Sequence, residues 1–218
     1  MNKRKIIFRI ITFLIFLFLF IYLLINIKEK GVLEVDKFND FLREVVRNNT
    51  LTPIIKSLTN IGGTSILIIE SLIIFLLFND KKVGLFIPIN LALSAGLNHL
   101  IKSFIKRPRP DIIYHLIKQG GYSFPSGHAM VSLSFYGFLI YLVIKYIKKR
   151  NLRDFLVVIL SLIIIFVGFS RIYLGVHYTS DVLGGYTLGI MYMMIYTTIF
   201  DLIIGRKNNN EKNKEVNR

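Results

Sequence analysis

Six long apolar runs set the terms for this chain, at about residues 10–27, 61–78, 83–104, 126–147, 152–169 and 179–204. Each is close to or beyond the ~20 residues that an α-helix needs to cross bilayer hydrocarbon. In hydrocarbon every backbone N–H and C=O must be satisfied inside the segment, which for single runs of this length means helix. The expected fold is all-α: an integral membrane six-helix bundle forming one domain, residues 1–205. A tail rich in Asn, Lys and Glu, residues 206–218, is expected to be disordered.

The 218 residues are 53% hydrophobic, more than a water-soluble domain of this size needs. A net charge of +15 is of the size met in nucleic-acid-binding proteins. Here most cations flank the apolar runs, so no nucleic-acid partner is expected. There is no cysteine, which excludes a disulfide framework and a thiolate metal site. Lys3, Arg4, Lys5 and Arg9 imitate the head of a signal peptide. The run behind them is longer than a signal core and no small-residue cleavage site follows, so it is expected to be a retained span.

The connector 28–60 carries Phe38, Phe41, Leu42, Val45 and Val46 at helical spacing, with Lys37, Asp40, Arg43, Glu44 and Arg47 between them. That pattern predicts an amphipathic interfacial helix between the first and second spans. Gly185 and Gly189, four residues apart, are expected to let helices pack closely. More of the basic residues fall in the segments that share a side with the N-terminus, which predicts both termini in the cytoplasm. The loops on the other face are basic as well, and their excess is expected to serve a second purpose.

Those outer loops hold the residues able to do chemistry. In the stretch 170–181, His177 and Asp181 stand four apart, close enough on a helix for the carboxylate to hold the imidazole in one tautomer. Arg171 offers a planar fork of donors suited to phosphate oxygens. Pro125-Ser126-Gly127-His128 reads as a helix start, with Ser126 able to cap and Gly127 allowing close backbone approach. A helix N-terminus also favours phosphate. With Lys102 and Arg109 added, two histidines and three cations converge, which is equipment for phosphoryl transfer through a covalent intermediate. Lys106 and Arg107 are expected to be solvated or to face headgroups, outside the site. His99 reads as a structural polar group, His115 as a loop residue, and Glu70 as an intramembrane carboxylate without an evident partner.

Three ordered segments resemble the signature motifs of the type 2 phosphatidic acid phosphatase family, the lipid phosphate phosphatases. Lys102 is followed by six residues and Arg109-Pro110. Pro125-Ser126-Gly127-His128 stands intact. Ser170-Arg171, five residues, His177, three residues and Asp181 complete the set. The resemblance implies that His177 is the nucleophile forming a phosphohistidine and that Asp181 orients it. It implies that His128 protonates the leaving oxygen and then activates water. Lys102, Arg109, Ser126, Gly127 and Arg171 would bind the phosphoryl oxygens, and no metal or cofactor is expected.

The expected substrate is a lipid phosphate or diphosphate in a bacterial cell membrane, reached at an extracytoplasmic site. The resemblance implies undecaprenyl pyrophosphate, phosphatidylglycerophosphate and phosphatidic acid as the candidates. The apolar face near Phe38 to Val46 would gate lateral entry. Two rival readings are a transporter of anionic lipid or phosphate and a noncatalytic membrane binder of lipid phosphates. A transporter would show broken helices or an inverted repeat. The oligomeric state is not legible from these residues.

Overall fold

The computed structural model describes the backbone of residues 3–216 and the side chains of residues 3–204. The side chains of the tail expected at 206–218 lie outside the described residues. All regular elements among the described residues are helical: α1 (Lys3–Lys30), α2 (Phe38–Phe41), α3 (Leu51–Leu58), α4 (Thr64–Leu77), α5 (Lys81–Gly84), α6 (Phe86–Ile105), α7 (Gly127–Tyr146), α8 (Arg150–Tyr173) and α9 (Thr179–Val216). A tight 3₁₀ turn at Glu34–Lys37 and a wider π-helical turn at Leu42–Val46 flank α2.

Among the described residues five helices are long and apolar enough to cross a membrane: α1, Lys81–Ile105, α7, α8 and Thr179–Ile204 of α9. The chain is a multi-pass membrane protein. In the expected run at 61–78 only Thr64–Leu77 is α-helical, 14 residues, fewer than a span needs. Leu51–Gly62 meets Thr64–Leu77 at a 50° bend, and only if that pair is one span does the number reach six. Gly63 is extended there (φ −79°, ψ 146°), which stops the helix and restarts it. Gly62 explains where the bend falls: a Cβ on it would lie 2.3 Å from Val167 Cγ1 on α8.

α7 and α9 form the buried centre, with α6 and α8 on either side and α1 laid along α9. One core cluster joins Leu67, Ile87, Phe135, Phe138, Tyr196 and Phe200. Its aromatics meet edge to face, as Phe138 does with Tyr196 at 5.1 Å and with Phe200 at 5.4 Å, the arrangement their ring quadrupoles favour. Gly185 lets α9 press on the start of α7, since a Cβ there would stand 2.7 Å from the Ser126 carbonyl oxygen.

The connector departs from the expected amphipathic helix. Leu42 is buried, but Phe38, Phe41 and Val45 are exposed, with the two Phe rings stacked 5.9 Å apart. Asp36 and Asn39 face inward instead, each only 3% exposed. They are anchored by polar bonds to His177 and to the first residues of α9, Thr179 and Ser180, and those bonds decide which face of the connector turns in.

Candidate active site

Three segments meet at one end of the bundle: the loop after α6, the start of α7 and the turn between α8 and α9. Backbone bonds lock them together. Ser126 N–H donates to the Asp181 carbonyl (2.9 Å), Ser123 N–H to the Arg107 carbonyl (2.8 Å), and Leu116 N–H to the Leu174 carbonyl (3.0 Å). The Pro-Ser-Gly-His start of α7 is therefore held against the first turn of α9.

His177 lies in the turn ahead of α9, not on a helical face, because α9 begins at Thr179. What brings it to Asp181 is the capping geometry. The Asp181 carboxylate accepts the Tyr178 N–H at 2.8 Å, as an acidic residue in the first helical turn commonly does. The same Oδ2 lies 3.4 Å from His177 Nδ1 and accepts a short hydrogen bond from the Ser123 hydroxyl. On the far side of the ring, Arg109 Nη1 donates to His177 Nε2 at 3.0 Å. A donor at Nε2 requires a lone pair there, which assigns the ring proton to Nδ1, facing Asp181.

His177 is 2% exposed. Burial first, then the charges of Arg109, Lys102, Arg171 and Arg107, hold its imidazole neutral, well below the usual range. A buried, neutral imidazole with a directed Nε2 lone pair is a nucleophile at ordinary pH. Burial also lowers the Arg109 guanidinium, while Asp181 acts in the opposite direction.

A cavity of about 620 Å³ opens beside the ring. Its polar end is lined by His177, His128, Lys102, Arg109 and the Gly120-Gly121 backbone; its other end runs between α4 and α6 along Leu67, Ile68, Leu72, Leu91 and Ala95. No residue of the connector lines it, so the gate expected at Phe38 to Val46 is not where this groove runs. Lys102 Nζ donates to the Tyr122 carbonyl at 2.6 Å. Gly127 lines the cavity and is required for packing, because a Cβ there would meet Asn98 Oδ1 at 2.9 Å.

Ser126 and Arg171 stand behind the cavity wall. Arg171 Nη2 donates to Gln119 Oε1 at 2.6 Å and Nη1 to Thr59 Oγ1 at 3.3 Å. Arg171 Nε and Ser126 Oγ are buried without a hydrogen-bond partner, and unsatisfied buried polar atoms are costly. Ser126 takes the N-cap position of α7 without a side-chain capping bond.

Arg107 is the clearest departure from expectation. It is 5% exposed and donates to Asp181 Oδ1 at 2.6 Å, while Lys106 beside it is exposed. The available signal was alternation: in an extended stretch residues 107 and 109 share a side. Asp36, Asn39 and Ser123 had no sequence signal comparable to the motifs. His99 is exposed and lines the cavity; His115 bonds to the Pro110 carbonyl at 3.0 Å; Glu70 accepts from Tyr136 Oη at 2.8 Å. Among the described residues no three His, Asp or Glu side chains gather as metal ligands.

The sequence profile of the PAP2 superfamily matches residues 84–204, which takes in all three motifs. This chain belongs to the PAP2 superfamily. It is 31% identical over 181 residues to phosphatidylglycerophosphatase B of Bacillus subtilis, covering 81% of this chain and 88% of that one. It is 27% identical over 183 residues to undecaprenyl-diphosphatase of Sulfolobus acidocaldarius, covering 80% and 84%. Among solved structures, the transmembrane PAP2-type phosphatidylglycerolphosphate phosphatase of Bacillus subtilis superposes with a TM-score of 0.79 at 27% identity, over 88% of this chain and 97% of that one. LpxE of Aquifex aeolicus shares the fold, with a TM-score of 0.61 at 23% identity over 76% and 93%. PAP2 membership and these relatives make lipid phosphate hydrolysis the class of activity.

Proposed function

We propose that this PAP2 chain hydrolyses a lipid phosphate or diphosphate through a phosphohistidine on His177. The observation that carries the reading is the two-ended cavity, with His177 and His128 at a cationic end and hydrocarbon side chains at the other. That shape suits a phosphorylated headgroup on an acyl or prenyl tail.

In the first step Nε2 of His177 attacks phosphorus. A P–N bond forms, the P–O bond to the lipid breaks, and His128 gives a proton to the leaving oxygen. Asp181 stabilises the Nδ1 proton as positive charge grows on the ring. In the second step His128 takes a proton from water, the water oxygen joins phosphorus, and the P–N bond breaks to release phosphate. Arg109 and Lys102 turn from their carbonyl partners to the phosphoryl oxygens. The Gly127 N–H joins them from the lining, and the unpaired Arg171 Nε and Ser126 Oγ reach the phosphoryl group from behind the wall once it is seated.

We infer six spans, counting the bent pair as one. α4 is 14 residues, about 21 Å of helix, and Leu51–Gly62 lies with the site at one end of the bundle. Arg9 and Lys145 pair with Asp201 at the other end, 2.8 and 2.5 Å away. The basic termini favour a cytoplasmic position for that end, and so an extracytoplasmic one for the site. The exposed Phe38 and Phe41 support a place for the connector at the membrane interface. Phosphatidylglycerophosphate and undecaprenyl pyrophosphate are the proposed substrates, with phosphatidic acid in a broader range. The bend at Gly63 and the cationic end of the cavity are features a transporter would share.

Phosphate release by purified protein in detergent with EDTA tests the reading. Release from these lipids that vanishes in His177→Ala is expected. Binding without release would favour a transporter or a noncatalytic binder.

A further inference from the structure

We propose that Asp36 and Arg107 form a positioning bridge that aims the His177–Asp181 pair, so that the connector before the second span is part of the catalytic apparatus. The inference rests on the phosphatase reading. Arg107 Nη1 donates to Asp181 Oδ1 at 2.6 Å and to Ser180 Oγ at 2.8 Å; its Nη2 donates to Asp36 Oδ2 at 3.1 Å and to the Gly31 carbonyl at 2.6 Å. Asp36 Oδ1 in turn accepts the Ser180 N–H at 2.8 Å. Asn39 accepts the Thr179 N–H at 3.0 Å and donates to the carbonyl of His177 itself at 2.8 Å. The backbone on either side of the nucleophile is thus pinned from the connector.

The side chains of Arg107, Asp36 and Asp181 are between 0% and 4% exposed. Two buried carboxylates share one guanidinium, whose planar fork spans both. The guanidinium also lies 4.2 Å over the Tyr178 ring, which closes its remaining face. Asp181 can turn about its own side-chain torsions. Arg107 on Oδ1, with Ser123 and the Tyr178 N–H on Oδ2, leaves it one orientation, and that orientation faces Nδ1. A group so placed acts on the pair and does not touch substrate. Its loss misdirects the nucleophile, and a displacement of about 1 Å at a reacting atom can cost roughly 100-fold in rate.

The test compares wild type, Asp36→Asn, Arg107→Lys, Asp181→Asn and the doubles with Asp181→Asn. Each is purified in detergent and checked for folding by thermal melting. Arg107→Lys keeps the charge and loses the fork. The expected result is kcat lower by roughly 10- to 100-fold with KM held within about twofold. It includes non-additivity, with either change costing little more once Asp181 is already Asn. An unchanged kcat in folded variants overturns the bridge, as does full additivity with Asp181→Asn. So does recovery of neither single variant in folded form, which would make the bridge structural alone. Wild type inactive on every lipid phosphate would instead refute the phosphatase reading.

Discussion

Arg109 Nη1 lies 3.0 Å from His177 Nε2 and 2.6 Å from the Val176 carbonyl oxygen, so the cation proposed to bind phosphate rests on the proposed nucleophile. Substrate must draw it away before the lone pair is free. Arg109→Gln removes a phosphate donor and is expected to lower kcat/KM by roughly 10²- to 10³-fold. The same change has a pH signature. The His177 imidazole sits below its ordinary 6.5 because of burial first and then cations, Arg109 foremost. The neutral nucleophile is therefore fully present above 6.5 and is lost only as pH falls through the lower folded value. The acid limb of kcat/KM is expected below pH 6.5 in wild type and shifted upward in Arg109→Gln. A pH–rate profile of both proteins checks the pair of outcomes.

His128 is assigned the proton for the leaving oxygen. Its replacement by Asn is expected to cost roughly 10²- to 10⁴-fold on an alkyl lipid phosphate. An aryl phosphate, whose leaving group needs no proton, should lose much less in the first step. Burst amplitudes with the two leaving groups separate the cases. Equal losses with both would remove His128 from that role.

The start of α7 is held where it is by Gly185. Gly185→Ala puts a Cβ 2.7 Å from the Ser126 carbonyl oxygen, a backbone atom that cannot step aside. Such overpacking typically costs about 1–3 kcal/mol. Thermal melting in detergent should show the loss, and phosphatase activity should fall with it because Ser126 and His128 move off α9.

Chain-length selectivity tests the groove between α4 and α6. Ala95 lines its apolar part. Ala95→Phe is expected to raise KM for long-chain substrates several-fold, at about 1–2 kcal/mol for a displaced stretch of tail, and to leave a short-chain analogue nearly unaffected. Deleting the aromatics of the connector with Phe38→Ala and Phe41→Ala should not reproduce this pattern.

Much of this was legible in the chain itself. Apolar runs fixed on bilayer length announced helices; α7 and α8 follow their runs closely, while α1 extends past its own at both ends. The motif residues carried their own signal in their order and spacing, and Lys102, Arg109, His128 and His177 line one cavity. Two things were hidden. The bend at Gly63 depends on the approach of Gly62 to Val167, a contact between residues distant in sequence. The inward face of the connector depends on partners more than 100 residues away, such as Ser180 for Asp36. Helical spacing of Phe38, Phe41 and Val45 spoke for an apolar face turned in. Buried hydrogen bonds to the start of α9 outweighed it, since an unpaired backbone N–H at Thr179 or Ser180 would cost more than the exposure of two rings at an apolar interface.

The most direct measurement is a rapid base quench of wild-type protein during turnover of a lipid phosphate, followed by peptide mass spectrometry. The account predicts a phosphoryl group on His177, stable in base and lost in acid, and absent from His177→Ala. Steady turnover with an unmodified His177, or a phosphoryl group on another side chain, would contradict it.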